Sequence, residues 1–160
     1  MTEIISINTA LRELGLYGDR VEFELPSPEI GLAINDDGVT WTKIPNMVAS
    51  SASGFSATGG TLTKINNSGI FLMNGVSDLE VNKAVEIFYA LALNGSVVPS
   101  EITAHTFAAS SKIENISITA LAPIAIGDEI EVWAKGDGTS GVTIDITKLD
   151  VTFKEAAPNY

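Results

Sequence analysis

From Val48 to Phe153 the chain alternates apolar and polar residues in short runs rich in Ile, Val, Thr and Phe, each closed by a cluster of Gly, Asn, Asp or Ser. Successive side chains on a strand point to opposite faces, so this alternation specifies half-buried strands, and the closely spaced turn clusters specify antiparallel neighbours. The pattern predicts an all-β fold, a sandwich or barrel of antiparallel strands, of which the antiparallel β-sandwich is the reading adopted. Val85, Ile87, Tyr89 and Leu91 alternate with Glu86, Phe88, Ala90 and Ala92, and Asn94-Gly95 then supplies the positive φ of a tight hairpin turn before Ser96. Ile116, Ile118 and Ala120 form another alternation, after which Pro123, which cannot donate to a ladder, is assigned to a connection. Ile130, Val132 and Ala134 begin the next strand. Val142 to Phe153 form the last one, with a one-residue slip near Lys148 that predicts a bulge.

The first 47 residues differ in kind. Asn8 or Thr9 caps a short helix through Leu14, stopped by Gly15 and Gly18. Val21, Phe23 and Leu25 read as a short strand, and the residues either side of Asn35-Asp36-Asp37-Gly38 read as a hairpin. The expected organisation is therefore an N-terminal arm with a small β-hairpin subdomain (1–47), a small-residue linker (48–54) and a main sandwich domain (55–160). The stretch Met1 to Gly15 lacks a basic region followed by an apolar one, and no apolar run is long enough for a membrane helix, so neither a signal peptide nor a membrane partner is expected.

Composition narrows the chemistry. The absence of Cys excludes disulfides, thiol nucleophiles and cysteine-based metal sites, and the single His, His105, leaves imidazole catalysis to one residue. His105 alternates with Thr103 and Phe107 without a local carboxylate to orient it, and reads as a surface or interface histidine. Nine Lys and Arg against 20 Asp and Glu give a net charge of −11, which argues against nucleic acid as a partner. Asn35 to Gly38 has the oxygen density of a calcium loop without the remaining ligand spacing, so turn chemistry is the better account. Gly136 to Gly141 reads as a long hairpin loop. The pairs Glu129/Glu131 and Asp78/Glu80 each share a strand face, which in most strands is a solvated one. No enzyme activity, cofactor or metal is expected. The strand from Val85 to Leu93 is apolar on both faces, whereas a sandwich strand usually leaves one face polar; a second covered face implies either a subunit interface or an overlying arm, and the interface is favoured because few elements remain in the chain to do the covering.

The order Gly69-Ile70-Phe71-Leu72-Met73-Asn74-Gly75, the strand to Leu93-Asn94-Gly95, Ile116 to Leu121, Ile124-Ala125-Ile126-Gly127-Asp128-Glu129-Ile130, and a final strand to Phe153 is similar to one known pattern. It resembles the jelly roll of the complement and tumour-necrosis-factor superfamily, in the variant seen in bacteriophage structural proteins. That resemblance covers about residues 55–153 and implies a homotrimer with an aromatic and aliphatic seam, for which Phe71, Phe88, Ala90, Ala92 and Phe153 are the candidates. It further implies a virion component made in the host bacterial cytoplasm: a capsid decoration (cement) protein on the capsid surface, with the major capsid protein as its partner. Ile4, Ile5, Leu11, Leu14, Leu16 and Tyr17 would be the attachment residues of the arm. The alternative it implies is a tail-fibre tip or receptor-binding protein that recognises host surface glycans.

Overall fold

The computed structural model describes residues 19–110 and 113–158, and no helix occurs among them. Twelve strands follow in order: β1 (Arg20–Glu24), β2 (Glu29–Ala33), β3 (Thr42–Lys43), β4 (Val48–Ser53), β5 (Phe55–Thr58), β6 (Thr61–Lys64), β7 (Gly69–Val81), β8 (Val85–Leu93), β9 (Ser96–Phe107), β10 (Glu114–Ile124), β11 (Glu129–Gly136) and β12 (Thr143–Pro158). They form two six-stranded antiparallel sheets. The first runs β10-β7-β12-β1-β4 with β2 also on β12, and the second runs β5-β6-β11-β8-β9 with β3 also on β11.

Strict alternation builds the core. In β7, Phe71 and Met73 are buried while Ile70, Leu72 and Asn74 between them are exposed, and β10 and β11 repeat the pattern. The inward residues of the first sheet (Val21, Phe23, Phe71, Leu79, Ile116, Ile144, Val151, Phe153) thus meet those of the second (Leu62, Ile87, Tyr89, Leu91, Ile130, Val132) in one cluster. Ile34 and Ile44 close one side, donating backbone N–H groups to Val142 O and Val132 O of the two sheets. A polar bridge crosses the core: the hydroxyls of Ser77 on β7 and Tyr89 on β8 lie 2.9 Å apart, both fully buried. Burial pushes the Tyr89 phenol well above its ordinary value of 10.0, opposed by the Ser77 bond.

Several sequence expectations hold: the hairpin at Asn94-Gly95 joins β8 to β9, and the bulge falls between Ile146 and Lys148. Others are corrected. Residues 20–53 are strands of both sheets and no separate subdomain: Val21 and Phe23 are fully buried in the common core. The expected linker is β4, paired with β1; its Ser and Ala side chains suit an exposed edge, and the ladder that holds it is made by backbone, which composition does not report. The expected hairpin around Asp36-Asp37 is a crossing between sheets, since β2 pairs with β12 and β3 with β11. The 136–141 loop likewise carries the chain from β11 to β12, from one sheet to the other. Pro123 lies within β10, opposite Ile70; β10 is an edge strand, where the missing donor is tolerated. The helix expected near residues 9–14 lies outside the described residues.

Replacing Ser77 with Ala leaves a buried phenol unpaired and is expected to cost about 1–3 kcal/mol, as is Tyr89→Phe, which strands the serine. In urea unfolding the double variant is expected to lose clearly less than the sum of the two. Simple additivity would mean that the bridge contributes nothing.

Candidate functional site

The outward faces of the two sheets carry the candidate residues. On the second sheet, β3, β11, β8 and β9 lie side by side, so register brings Lys43, Trp133, Ala90 and Ile102 into one row. Ala90 and Ala92 are fully buried, yet they stand outside the core cluster. Their methyl groups sit between the larger side chains of Trp133 and Ile102 and of Glu131 and Val97. Beside them Lys135 Nζ lies 5.2 Å from the ring centres of both Trp41 and Phe88. The apolar outer face of β8 is therefore covered largely within the chain, by neighbours on its own sheet.

The other two seam candidates are placed differently. Phe71 and Phe153 point into the sandwich, at 1% and 0% exposure, so neither reaches a subunit surface. Alternation explains this: in β7 the outward positions are Ile70 and Leu72, one residue either side of Phe71. Ile70 (39% exposed), Leu72 (38%) and Leu121 (53%) form an apolar stripe on the open face of the first sheet, with Leu121 directly opposite Leu72 and Pro123 opposite Ile70. The sequence reading missed this stripe because it assigned Phe71 the outward phase. Ile4, Ile5, Leu11, Leu14, Leu16 and Tyr17 lie outside the described residues.

The carboxylate clusters are occupied by the protein itself. Asp37 Oδ1 accepts the N–H groups of Val39 (2.9 Å) and Thr40 (2.7 Å), and its Oδ2 accepts the Thr40 hydroxyl. These bonds hold the Asp37 carboxyl down to about 2. Asp36 accepts from Ser140 Oγ and Gly141 N, and Asp137 from Glu86 N and Thr139, so the two crossing loops are stitched to each other and to β8. Among the described residues no group of three His, Asp or Glu is arranged to hold a metal ion. His105 does have an acidic partner, Glu114, which β10 brings to it across the gap between the sheets; Phe107 stacks edge-on at 4.9 Å. Glu131 and Glu129 do not act together: Glu131 binds Lys43 Nζ (2.7 Å), Thr61 Oγ1 and Trp133 Nε1, while Glu129 is exposed. Two shallow surface grooves, each of about 220 Å³, fall short of the roughly 300–1,000 Å³ usual for small-molecule sites.

One cluster had no counterpart in the sequence reading. Lys64 is fully buried and paired with Asp19 at 2.5 Å, with Gly54 O and Asn66 O as further acceptors. The signal was the phase of Thr61-Leu62-Thr63-Lys64, in which Lys64 shares the inward face with Leu62.

No known family profile matches the sequence, and no curated protein matches it. Solved structures do. A crystal structure of murine APRIL at pH 5.0 superposes with a TM-score of 0.61 at 10% identity, covering 86% of this chain and 99% of that one. The structure of Eiger TNF from S. frugiperda gives 0.57 at 13% identity, over 90% and 96% of the two chains. Murine APRIL at pH 8.0 gives 0.53 at 13%, over 84% and 98%. The chain thus has a TNF-like jelly-roll fold, and at these identities the likeness is one of fold.

Partial burial raises the Glu131 carboxyl, but the bonds from Lys43, Thr61 and Trp133 outweigh it and leave it below its ordinary 4.5. A depressed carboxyl contributes stability that is present above its unfolded value and lost as pH falls through its folded one. Because Lys43 is a third exposed, Glu131→Gln is expected to cost about 1 kcal/mol or less at neutral pH. Urea unfolding in acid, well below pH 4.5, is expected to show that difference disappear. A difference independent of pH would sink the assignment.

Proposed function

We propose that this protein is a structural subunit, a homotrimeric capsid decoration protein that reinforces a bacteriophage head. The observation that supports self-association is the stripe of Ile70, Leu72 and Leu121, three large aliphatic side chains left open to water on one face of a well-packed sandwich. A second and third copy of the chain are its occupants in this reading, which takes the trimer from the jelly-roll resemblance. The seam is accordingly assigned to the outward face of β7 and β10 in place of Phe71 and Phe153. On the second sheet, Phe88, with Lys135 against its ring, remains a secondary contact.

Attachment to the major capsid protein is assigned to the segment before Asp19, with Ile4, Ile5, Leu11, Leu14, Leu16 and Tyr17 as its apolar contacts. Three such segments on one trimer engage a shell together, and linked weak contacts then act as one strong contact. Each copy carries −11, so apolar burial must overcome mutual repulsion, and added salt favours the assembly.

Light scattering on the purified chain is expected to give about three times the 16.8 kDa of one copy. Leu72→Glu together with Leu121→Glu is expected to give monomers with unchanged circular dichroism. A monomeric wild-type chain, or a double variant that stays trimeric, overturns the stripe as the seam. Labelling of intact particles then separates dense shell decoration from the polar labelling of a tail-fibre tip that binds host glycans.

A further inference from the structure

Lys64 ends β6 in the second sheet, and Asp19 immediately precedes β1 in the first. Their side chains are 0% and 6% exposed, with Nζ 2.5 Å from Oδ2. The rings of Phe55 and Phe71 lie 4.8 and 5.3 Å from that nitrogen and meet each other edge to face. Glu155 closes the group: its Oε2 accepts the backbone N–H of Asp19 at 3.2 Å, and its own N–H returns a bond to Asp19 O. The other oxygen, Oε1, is buried with no hydrogen-bond partner among the described residues. Gly54 makes the room, because a Cβ there would fall 2.3 Å from Asp19 Cγ. A buried amine, a buried carboxyl, two phenyl walls and a second carboxylate with an unpaired oxygen exceed what a structural ion pair requires.

The geometry points to an amide bond between Lys64 Nζ and Asp19 Cγ, formed by the folded chain itself, with Glu155 carrying the proton. Attack needs a free lone pair on nitrogen and a protonated carboxyl, and moving one proton within the pair supplies both without changing the net charge. The Nζ–Cγ bond forms, and Glu155 takes a proton from nitrogen and returns it to Oδ2. The Cγ–Oδ2 bond then breaks, and the oxygen leaves as water with two of the three ammonium protons. The third stays on the amide nitrogen, where Gly54 O or Asn66 O accepts it. Nothing is oxidised or reduced, and Glu155 ends as it began. Holding the two groups in contact replaces a bimolecular encounter by an intramolecular one, and the phenyl walls keep out the water that would compete. The bond would join residues 45 apart and tie one sheet to the other in a chain that has no cysteine. It stands independently of what the chain assembles into.

The test is mass spectrometry of the purified full-length chain after denaturation and protease digestion. The expected result is one species, a peptide containing Asp19 joined to one containing Lys64 and lighter than their sum by one water. Lys64→Met and Asp19→Ala are expected to give the separate peptides at full mass. Glu155→Gln, checked for folding by circular dichroism, is expected to form the link about a hundredfold more slowly, as loss of a proton-transfer group does. Wild-type chain that yields only the separate peptides after prolonged incubation overturns the bond, as does a water lost within a single peptide. A folded Glu155→Gln variant that links at the wild-type rate overturns the role of Glu155.

Discussion

The ladder between β7 and β12 runs from Val81 opposite Ile144 to Gly69 opposite Pro158, and nearly every other element is hung on it. β10 adds to one side of β7, while β1 and β2 add to the outer edge of β12. The second sheet packs against the inward residues of these two strands and of β1 and β10. The ladder joins segments more than sixty residues apart, so it can form only after the intervening strands have been brought near, and loop closure opposes it until the core begins to bury. One bulge near Lys148 lets β12 keep Leu149, Val151 and Phe153 on the inner face after Ile144 and Ile146.

Much of this was readable because burial imposes a period of two. The strands from Glu114 to Ile124 and Glu129 to Gly136 announce their inner faces residue by residue. What could not be read was held by other forces. β4 is Ser and Ala joined to β1 by backbone bonds, which look the same for any composition. The crossing at Asp36-Asp37 has the residues of a hairpin turn, and only the partners of the flanking strands decide that it changes sheets. The apolarity of Ala90 and Ala92 suggested an external partner, but a small side chain between Trp133 and Ile102 is already covered. The stripe at Ile70, Leu72 and Leu121 needed the register of β7 against β10 before its parts became neighbours. Lys64 was hidden by its type, since a lysine on an inner face departs from the rule that charges stay in water.

Four of the nine cations are engaged by other groups of the fold. Lys64 is buried, Lys43 is bonded to Glu131 and Thr61, Lys135 donates to Gly38 O between two aromatic rings, and Lys83 donates to Ser140 O. Two of these four are paired with carboxylates, Asp19 and Glu131, so the pairing removes equal charge of either sign and the net −11 still describes the field outside the sandwich. Like-charged surfaces of this kind repel one another at long range, and added salt screens that repulsion.

Because β1 and β12 are antiparallel, Arg20 at the start of the one lies opposite Lys154 near the end of the other. A load drawn between the two ends of the chain would therefore not shear the ladder. It would unzip it, one pair after another beginning at Arg20, the mode in which hydrogen bonds resist least because they bear the strain singly. Asp19 stands one residue ahead of that first pair and is gripped by Lys64 of the opposite sheet. Tension arriving from the N-terminal side is thus passed into the second sheet before it reaches the first pair of the β1–β12 ladder.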